Sequence, residues 1–407
     1  MKIGIIREGK VPPDARVPLN PQQCAHLIAE YGLEVVVQPS SVRIFKDEEY
    51  AAAGVPLSEY MGDCDLLLGV KEVPIEQLIP GKTYSFFSHT HKKQLYNRPL
   101  LRALLQKHIH LIDYEVLTDN YGRRVIAFGY FAGVVGAHNA FWTYAQRAKA
   151  LGLPGFELPR MRDLYDYRAA QQVYKYLSIP PLKIVLTGTG RVATGAAQVL
   201  DDMSIRQVSP RDFLTLSFDE PVYTQLQSHD YLKHSKGQLF DKIHFYQYPE
   251  EYSSAFAPYT KVADIMINGI YWDNRAPAFF TREEMAADDF RIRVIADITC
   301  DIAPLSSIPA TLRASTIADP VFGFDPVTGQ ETAPHQLHVI DMMTIDNLPS
   351  ELPRDASTSF GNMYIKQVLP HMLAPKSAMI ERATITRHGR LGPHFEYLQD
   401  FVDGKED

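Results

Sequence analysis

The sequence is poor in cysteine and has no long apolar run. Its three cysteines, Cys24, Cys64 and Cys300, are odd in number and far apart. Their spacing predicts neither a disulfide framework nor a zinc site, and we expect no bound metal. The most apolar of the longer stretches, FGYFAGVVGAHNAFW, contains a histidine and an asparagine. It is shorter than the about 20 residues that cross a bilayer, so we expect no membrane-spanning segment.

A large excess of charge of one sign is also missing. The formal net charge is -7, with 22% charged and 45% hydrophobic residues. This balance favours a globular protein and argues against nucleic acid or a membrane surface as the main partner, although a few local cations suffice to bind a small anion. The N-terminal MKIGIIREGK lacks the apolar core of a signal peptide, so we expect a cytoplasmic location. The composition predicts no particular oligomeric state.

A third absence concerns a nucleotide-binding motif. Residues 184–203, IVLTGTGRVATGAAQVLDDM, have the pattern of a strand, a glycine turn and a helix, in which Gly188, Gly190 and Ala193 form G-x-G-x-x-A. Such glycines let a pyrophosphate approach the helix N-terminus, although a structural turn can use them too. An acid that holds the adenosine ribose normally follows about 20 residues later. That position falls near Val208 in IRQVSPRDFL, where the acid is missing.

Strand-like and helix-like segments alternate along the chain, which predicts an α/β architecture with mainly parallel sheets. We expect a helix over residues 133–150, GVVGAHNAFWTYAQRAKA, to lead into a second domain that contains the glycine turn. Residues 209–260 are rich in proline, tyrosine, histidine and charge. They are long for a connection within a domain, which indicates either a functional insertion or a mobile excursion.

Ionisable side chains follow several of the predicted strands in the first part of the chain. Lys71 follows DLLLGV, His89 follows YSFF, and Glu115 ends the strand in LIDYEVL. Ligands of parallel sheets bind beyond the carboxyl ends of the strands. A lysine and a histidine at that edge could exchange protons with a substrate amine or carbonyl group. Taken singly, each of these residues is more often a solvated or ion-paired side chain.

Arginines and one aspartate complete the set of candidates. Arg16 in PDARVPLNP and the pair Arg123 and Arg124 in YGRRVIAFG could each bind a carboxylate through two hydrogen bonds, but isolated arginines are more often found in surface ion pairs. Asp346 in TIDNLP is either a ligand or the cap of a turn. Together, these residue types suit a small substrate that carries carboxylates and an amine.

Several segments also occur in the order of a known enzyme family. They are LLLGVKEVP, YSFFSHTHKKQ, LIDYEVL, GRRVIAFGYFAGVVG, VLTGTGRVATGA, INGIYWDNRAP, ADITCD and TIDNLPSELPRDAS, and the similarity runs from residue 1 to about residue 373. In these segments the chain resembles the lysine-forming saccharopine dehydrogenases, most closely the lysine–ketoglutarate reductase half of aminoadipic semialdehyde synthase. It is more distantly similar to alanine dehydrogenase and to the NAD-binding subunit of transhydrogenase.

The resemblance implies two Rossmann-like domains with the active site in the cleft between them. Residues 1–132 and 340–407 would form the substrate domain, and residues 133–339 the dinucleotide-binding domain. The implied partners are small molecules: the ε-amine of L-lysine condenses with the ketone of 2-oxoglutarate, and a hydride from a nicotinamide cofactor reduces the imine to saccharopine. A related opine-type or amino-acid dehydrogenase with another substrate, and a nucleotide-binding protein without catalysis, are the alternatives.

The resemblance also assigns roles to the candidates. Lys71 matches the catalytic base and His89 the general acid–base, while Arg16 matches an arginine near the substrate carboxylates. Glu115 matches a carboxylate that tunes the charge around the lysine. Glu72 has a counterpart in the fungal enzymes but not in the reductase half. The remaining candidates for substrate binding are Arg123, Arg124 and Asp346.

The missing acid bears on the choice of cofactor. The fungal NAD-dependent enzymes have an acid at the end of the second strand, whereas the reductase half, which uses NADPH, has a stretch like QVSPRDFL followed by a long insertion. The chain has the second pattern, which favours NADP(H), with NAD(H) as the alternative. Ser209 and Arg211 are then expected at the 2′-phosphate. The expected cofactor-binding residues are Gly188, Thr189, Gly190, Arg191, Val192, Ala193, Ser209, Arg211, Asn268, Gly269, Ile270 and Asp297.

Overall fold

The computed structural model describes residues 1–405, which divide into two compact units. The first unit comprises Met1–Phe128 and the C-terminal part from Pro353, and the second comprises Gly129–Leu352. The long helix that leads into the second unit thus begins at Gly129 and not at residue 133. The return to the first unit occurs at Pro353 and not at residue 340, because the strand Ile340–Met343 still pairs with Val294–Asp297 in the second unit.

The strands are numbered in chain order as β1 Lys2–Ile5, β2 Glu34–Val37, β3 Leu66–Leu68, β4 Thr83–Phe86, β5 His110–Asp113, β6 Lys183–Thr187, β7 Arg206–Gln207, β8 Val222–Leu226, β9 Leu232–His234, β10 Tyr252–Ser254, β11 Ile265–Asn268, β12 Val294–Asp297, β13 Val321–Asp325, β14 Gln330–Thr332, β15 Ile340–Met343, β16 Thr384–Arg387 and β17 Arg390–Leu391. The helices are α1 Pro21–Tyr31, α2 Asp47–Ala52, α3 Arg98–Gln106, α4 Gly129–Leu151, α5 Tyr167–Tyr174, α6 Arg191–Asp202, α7 Pro210–Thr215, α8 Ser228–Tyr231, α9 Lys242–Gln247, α10 Ala257–Thr260, α11 Arg282–Met285, α12 Pro353–Met363, α13 Leu369–Leu373, α14 Ala378–Ala383 and α15 Gln399–Asp403.

The first unit is built on a seven-stranded sheet in the order β17-β16-β5-β4-β3-β1-β2. Strands β1 to β5 are parallel to one another. Strand β16 is antiparallel to β5, and β17 is antiparallel to β16. Short apolar runs such as KIGI in β1 and LLL in β3 are buried, as expected for strands that are covered on both faces. The loops after β1, β3, β4 and β5 therefore meet at one edge, and they carry most of the candidate catalytic side chains.

The C-terminal return is anchored in the core of the first unit. The hydroxyl of Ser357 on α12 accepts a hydrogen bond from the backbone N–H of Val17, and the ring of Phe360 stacks on Phe128 with centroids 4.6 Å apart. Burial of aromatic side chains of this size contributes more to stability than the polar contact does. The return is therefore an integral part of the first unit.

The second unit is built on an eight-stranded sheet in the order β14-β13-β15-β12-β11-β6-β8-β7. The six strands from β15 to β7 in this order are parallel to one another, whereas β13 is antiparallel to its neighbours β15 and β14. Helix α4 packs on α6 at very short range, because a Cβ at Gly195 would lie 1.9 Å from the carbonyl oxygen of Tyr130. The mainly parallel α/β architecture predicted from the sequence is confirmed in both units.

The expected insertion contains ordered structure of its own. Strands β9 and β10 form an antiparallel pair, with α8 before β9 and α9 between the two strands. Part of the segment nevertheless belongs to the main sheet, since β8 lies directly beside β6. Across residues 1–405, no helix is both long enough and apolar enough to cross a membrane.

Candidate active site

The glycine turn lies between β6 and α6, as the motif predicts. Gly188 has a left-handed φ of 96°, and a Cβ there would lie 2.7 Å from the carbonyl oxygen of Gly269. Gly190 is the N-cap of α6, and a Cβ at this position would meet no atom within 4 Å. The N–H groups of the first turn of α6 have no acceptor within the helix and lie beside the open space at Gly190, which is the geometry that binds a pyrophosphate.

A cavity of about 830 Å³ begins at this turn. Thr189 lines it together with Gly188 and Gly190, and Gly269 and Ile270 line it from the end of β11. Its other walls come from the end of β8, from the insertion and from residues 271–279 after β11, with Gln227, Ser228, His229, Lys242, Phe245, Tyr246 and Asp273 among the lining residues. The volume is within the range of natural ligand pockets.

The remaining expected residues of α6 do not line this cavity. Arg191 begins the helix and is exposed, Val192 is partly buried, and Ala193 is fully buried in the core. Ala193 thus has the packing role that the third position of the motif requires, because a larger side chain would separate helix and strand.

The expectation for Ser209 and Arg211 is wrong. Both follow β7, which is the outer edge strand, and β8 lies between β7 and β6. Two strand spacings, roughly 9–10 Å, separate them from the strand that carries the glycine turn. Ser209 instead caps α7 through its hydroxyl, which accepts the N–H of Asp212, and Arg211 is exposed on that helix. The strand end that lies next to β6 is therefore that of β8, which is followed by Gln227.

Asn268 and Asp297 form a buried hydrogen-bond network at the ends of β11 and β12. The amide of Asn268 donates to Asp297 at 2.9 Å, and its oxygen accepts from Thr187 at 2.7 Å. Thr299 and Thr311 donate to the two oxygens of Asp297. Burial raises the pKa of Asp297, although these hydrogen bonds act in the opposite direction. Both side chains are fully buried and join the ends of β6, β11 and β12, and the cavity lining does not include them.

The first unit gathers charged side chains at the carboxyl edge of its sheet. Arg16 donates two hydrogen bonds to Asp14, at 3.0 and 2.6 Å, and both side chains are buried. This pairing with Arg16 holds the pKa of Asp14 well below its usual range, although burial opposes the shift. The guanidinium also lies 4.3 Å from the centroid of the Phe128 ring. Arg16 is thus a fixed, desolvated cation.

Lys71 lies beside this pair. Its backbone N–H donates to Glu8 at 2.8 Å, and burial, followed by the nearby Arg16 guanidinium, lowers the pKa of its amine. Glu8 accepts a second backbone hydrogen bond, from Val70 at 2.6 Å. Removal of Glu8 from water raises the pKa of its carboxyl to about 8, despite these two hydrogen bonds. A lysine with a lowered pKa suits proton abstraction near neutral pH.

His89 and Glu72 form a second pair at the same edge. Nδ1 of His89 lies 2.6 Å from Oε1 of Glu72, whose other oxygen accepts from Lys10 at 2.6 Å. Burial opposes ionisation of Glu72, but the hydrogen bonds from His89 and Lys10 prevail and lower its pKa to about 2. His89 also has a left-handed φ of 55°. The contact with Glu72 fixes the orientation of the imidazole and leaves Nε2 for other partners.

Glu115 is the centre of a third cluster. Lys92 donates to it at 2.9 Å, and His91 and Arg124 lie 3.8 and 3.7 Å from its oxygens. Burial opposes ionisation of Glu115, but the hydrogen bond and charge of Lys92, with Arg124, lower its pKa. Oε2 of Glu115 is buried and has no hydrogen-bond partner among the described residues. This oxygen can therefore accept a hydrogen bond from a ligand.

Two expected residues are not part of these clusters. Arg123 is 74% exposed and forms an ion pair with Asp119 in a surface turn, which it stabilises. Asp346 belongs to the second unit. There, burial raises the pKa of the Cys300 thiol, and the negative charge of Asp346 adds to this shift. The sequence reasoning missed Glu8, Asp14 and Lys10. Ligands of parallel sheets bind beyond the carboxyl ends of the strands, and this applies to β1 as well. The segment REGK after β1, which contains Glu8 and Lys10, could have been identified in this way.

The chain is similar to several known proteins. The family model described as alanine dehydrogenase/PNT, N-terminal domain, matches residues 4–135. The mitochondrial alpha-aminoadipic semialdehyde synthase of Rattus norvegicus is 32% identical over 97% of the chain and 47% of its own length. The lysine-forming, NAD(+)-dependent saccharopine dehydrogenase of Emericella nidulans is 29% identical over 90% of the chain and 91% of its own length. The chain is similar to both enzymes.

The chain spans about half the length of the semialdehyde synthases that it matches. Among solved structures, an L-alanine dehydrogenase superposes with a TM-score of 0.65, 17% sequence identity and coverage of 99% of both chains. At this identity the likeness concerns the fold, which is the Rossmann type expected from the resemblance.

Proposed function

We propose that the chain interconverts saccharopine, water and NAD(P)+ with L-lysine, 2-oxoglutarate, NAD(P)H and a proton. The observation that carries the proposal is the cluster at the carboxyl edge of the first sheet, where a lysine of lowered pKa lies close to a buried arginine–aspartate pair. The names of the homologues support the same reaction. A bound nicotinamide would supply or accept the hydride at the carbon that becomes the secondary amine carbon of saccharopine.

The residues of the cluster match the proton transfers of this reaction. When lysine and 2-oxoglutarate condense, the attacking amine loses protons and the ketone oxygen leaves as water, so one base and one acid are needed. Lys71, with its lowered amine pKa, is proposed as the base. His89, held by Glu72, is proposed as the acid that protonates the leaving oxygen and takes the proton back in the reverse direction.

The charges of the clusters match the substrate. Saccharopine carries three carboxylates and one secondary amine, so its site needs several cations and a smaller number of anions. We assign Arg16 and Arg124 to carboxylate binding, and Lys92 supports them. The free oxygen of Glu115 is assigned to an amine of the substrate. Arg123 and Asp346 are left out because they lie outside the clusters.

For the cofactor, we propose a preference for NADP(H), carried by residues after β8. Gln227 occupies the strand end where an NAD-specific acid normally stands, and Ser228, His229 and Lys242 line the cavity beside it. Asp230 accepts the backbone N–H of Gln227 at 2.7 Å and does not line the cavity, and the acid that does line it, Asp273, pairs with Arg275 at 2.7 Å. A hydroxyl, an imidazole and an ammonium group suit a 2′-phosphate. The homologues from fungi are named for NAD(+), so this choice requires a direct test.

The test is the absorbance change of NADPH or NADH when lysine and 2-oxoglutarate are added to the full chain. Turnover with this pair supports the proposal, and faster turnover with NADPH supports the cofactor preference. Turnover only with another amine or keto acid, such as ammonia with pyruvate, would assign the chain to a different amino-acid or opine dehydrogenase. Cofactor binding without turnover of any pair would overturn catalysis.

A further inference from the structure

Two histidines and a glutamate lie close together in the insertion, outside the three charged clusters of the first unit and outside the cavity lining. Nε2 of His234 lies 3.4 Å from Oε2 of Glu251, and Nε2 of His244 lies 3.8 Å from the same oxygen. The three ligand atoms lie within 4.8 Å of one another. Ligands of a tetrahedral zinc ion, bound at about 2.0–2.1 Å, are about 3.4 Å apart. The three side chains are therefore spaced for a common metal ion after small side-chain movements.

Three different elements hold these side chains. His234 is the last residue of β9 and lies opposite Tyr252 of β10 in the antiparallel ladder. Glu251 directly precedes β10, and its carbonyl oxygen accepts the N–H of Ser235 at 2.9 Å. His244 is on α9 between the two strands. A shared ion would thus join the helix to the ladder.

His234 gives an independent reason to expect a ligand. Its side chain is 2% exposed, and its buried Nε2 has no hydrogen-bond partner among the described residues. Buried polar atoms nearly always have a hydrogen-bond partner or another ligand. We therefore expect a ligand of this nitrogen in the space between His234, His244 and Glu251.

The ring of His244 is already oriented for ligation. Its Nδ1 lies 3.2 Å from the hydroxyl of Tyr252, and that hydroxyl donates to the carbonyl oxygen of Asp241 at 3.1 Å. Because the hydroxyl proton is used in this way, Nδ1 of His244 is the donor to Tyr252. Its Nε2 then carries the lone pair, as in histidines that ligate metals.

We propose that His234, His244 and Glu251 bind one divalent transition-metal ion, with water as the fourth ligand. Two imidazoles and one carboxylate are a donor set typical of zinc. The N–H of Lys236 donates to Nδ1 of His234 at 3.1 Å. Ligation at Nε2 requires the proton of this ring to be on Nδ1, so the N–H of Lys236, in an exposed turn, then binds water.

The metal has a structural consequence for the cofactor cavity. An isolated two-stranded ladder has little stability of its own, and α9 is only six residues long. Lys242 and Phe245 on α9 and Pro249 beside it line the cavity. The ion fixes this wall by joining α9 to β9 and β10.

The test is a titration of the metal-stripped full chain with Co2+, which gives strong visible absorption in tetrahedral sites. We expect one equivalent to bind with this absorption and Zn2+ to displace it. His244→Ala and Glu251→Gln should each weaken binding by at least about tenfold. His338→Ala, which removes an exposed histidine of the same unit, is the matched control and should bind normally.

A second readout is thermal unfolding, because an ion that binds only the folded state raises the unfolding temperature. Zn2+ should raise it for the wild type and for His338→Ala but not for the two ligand variants, whose folding is checked by circular dichroism without metal. Absence of stoichiometric binding by the wild type, or equal binding by wild type and both ligand variants, overturns the proposal. Neither readout depends on catalysis, so the result is separate from that of the proposed reaction.

Discussion

The two units present their functional groups in different ways. In the first unit, ionisable side chains are paired in a partly desolvated edge of the sheet, as in Arg16 with Asp14 and Glu72 with His89. In the second unit, the cavity is walled by glycine backbone, the end of β8 and side chains of the insertion, and buried polar groups such as Asn268 lie behind it. Ligand binding in the first unit should therefore depend mainly on charged side chains, and ligand binding in the second unit mainly on the shape of the backbone.

This difference indicates how each region should respond to change. Removal of one member of a buried ion pair leaves an uncompensated charge, which is strongly destabilising. A cavity built on backbone groups tolerates changes of single wall residues and loses affinity by one contact at a time. Substitutions in the first unit should therefore affect chemistry and pH dependence, and those in the second unit should affect cofactor choice.

The largest effect is expected for Lys71→Met. Loss of a general base typically lowers the rate by about 10²–10⁴-fold. Because Lys71 lies in the first unit and the cavity in the second, NADPH binding measured by fluorescence should be unchanged. Lys376→Met, which removes an exposed lysine of the first unit, is the control and should keep full turnover. Near-normal turnover of Lys71→Met would exclude Lys71 from the mechanism.

The next effect concerns the pH dependence of stability. The pKa of the Glu8 carboxyl is raised to about 8 in the folded state. Between the pKa that this carboxyl has in the unfolded chain and pH 8, the folded state therefore binds more protons than the unfolded state. Stability therefore falls as pH rises through this window. Glu8→Gln removes this contribution, so the variant should lose less free energy of unfolding between pH 5 and pH 8 than the wild type, by at least about 1.4 kcal/mol. Urea denaturation at both pH values measures this difference, and parallel curves for the two proteins would contradict it.

A smaller effect is expected for Lys242→Ala in the cavity of the second unit. One charge-assisted hydrogen bond contributes roughly 1.5–3 kcal/mol, which corresponds to about tenfold or more in affinity. The variant should lose about that factor in NADPH affinity and keep its NADH affinity. If both affinities fall together, Lys242 contacts a part that the two cofactors share. If the wild type prefers NADH, Asp230 holds the ribose and the proposed preference is wrong.

The sequence predicted the first unit's cluster well because the strands that carry it are neighbours in the sheet. Lys71, His89 and Glu115 follow β3, β4 and β5, which lie side by side. The ion pairs were not predictable, since Glu72 and Lys10 are far apart in the chain and a single sequence gives no distance between them. Cysteine spacing gives no signal for the cluster of His234, His244 and Glu251, because none of its members is a cysteine.

The second unit shows why counting residues from the glycine turn failed. In the usual arrangement the strand after the first helix lies next to the first strand. Here the two-residue β7 takes the edge, and VYTQL in β8 takes the inner place. Both segments are strand-like in sequence, but VYTQL is longer and more apolar than RQ. These properties favour VYTQL for the buried position.

The smallest effect, and the sharpest test of this topology, is expected for Arg211→Ala. The side chain is exposed on α7, whose C-terminal end lies near the start of β6, where Lys183 donates to the carbonyl oxygen of Leu216 at 2.7 Å. The glycine turn is at the opposite end of β6, and β8 separates it from β7. Affinities for NADPH and NADH should therefore both change by less than about twofold, since a substitution that breaks no contact with a ligand has little effect on its binding. A selective loss of NADPH affinity would place Arg211 at the 2′-phosphate. It would also require β7, and not β8, to lie beside β6, and so would contradict the sheet order on which the assignment of Lys242 depends.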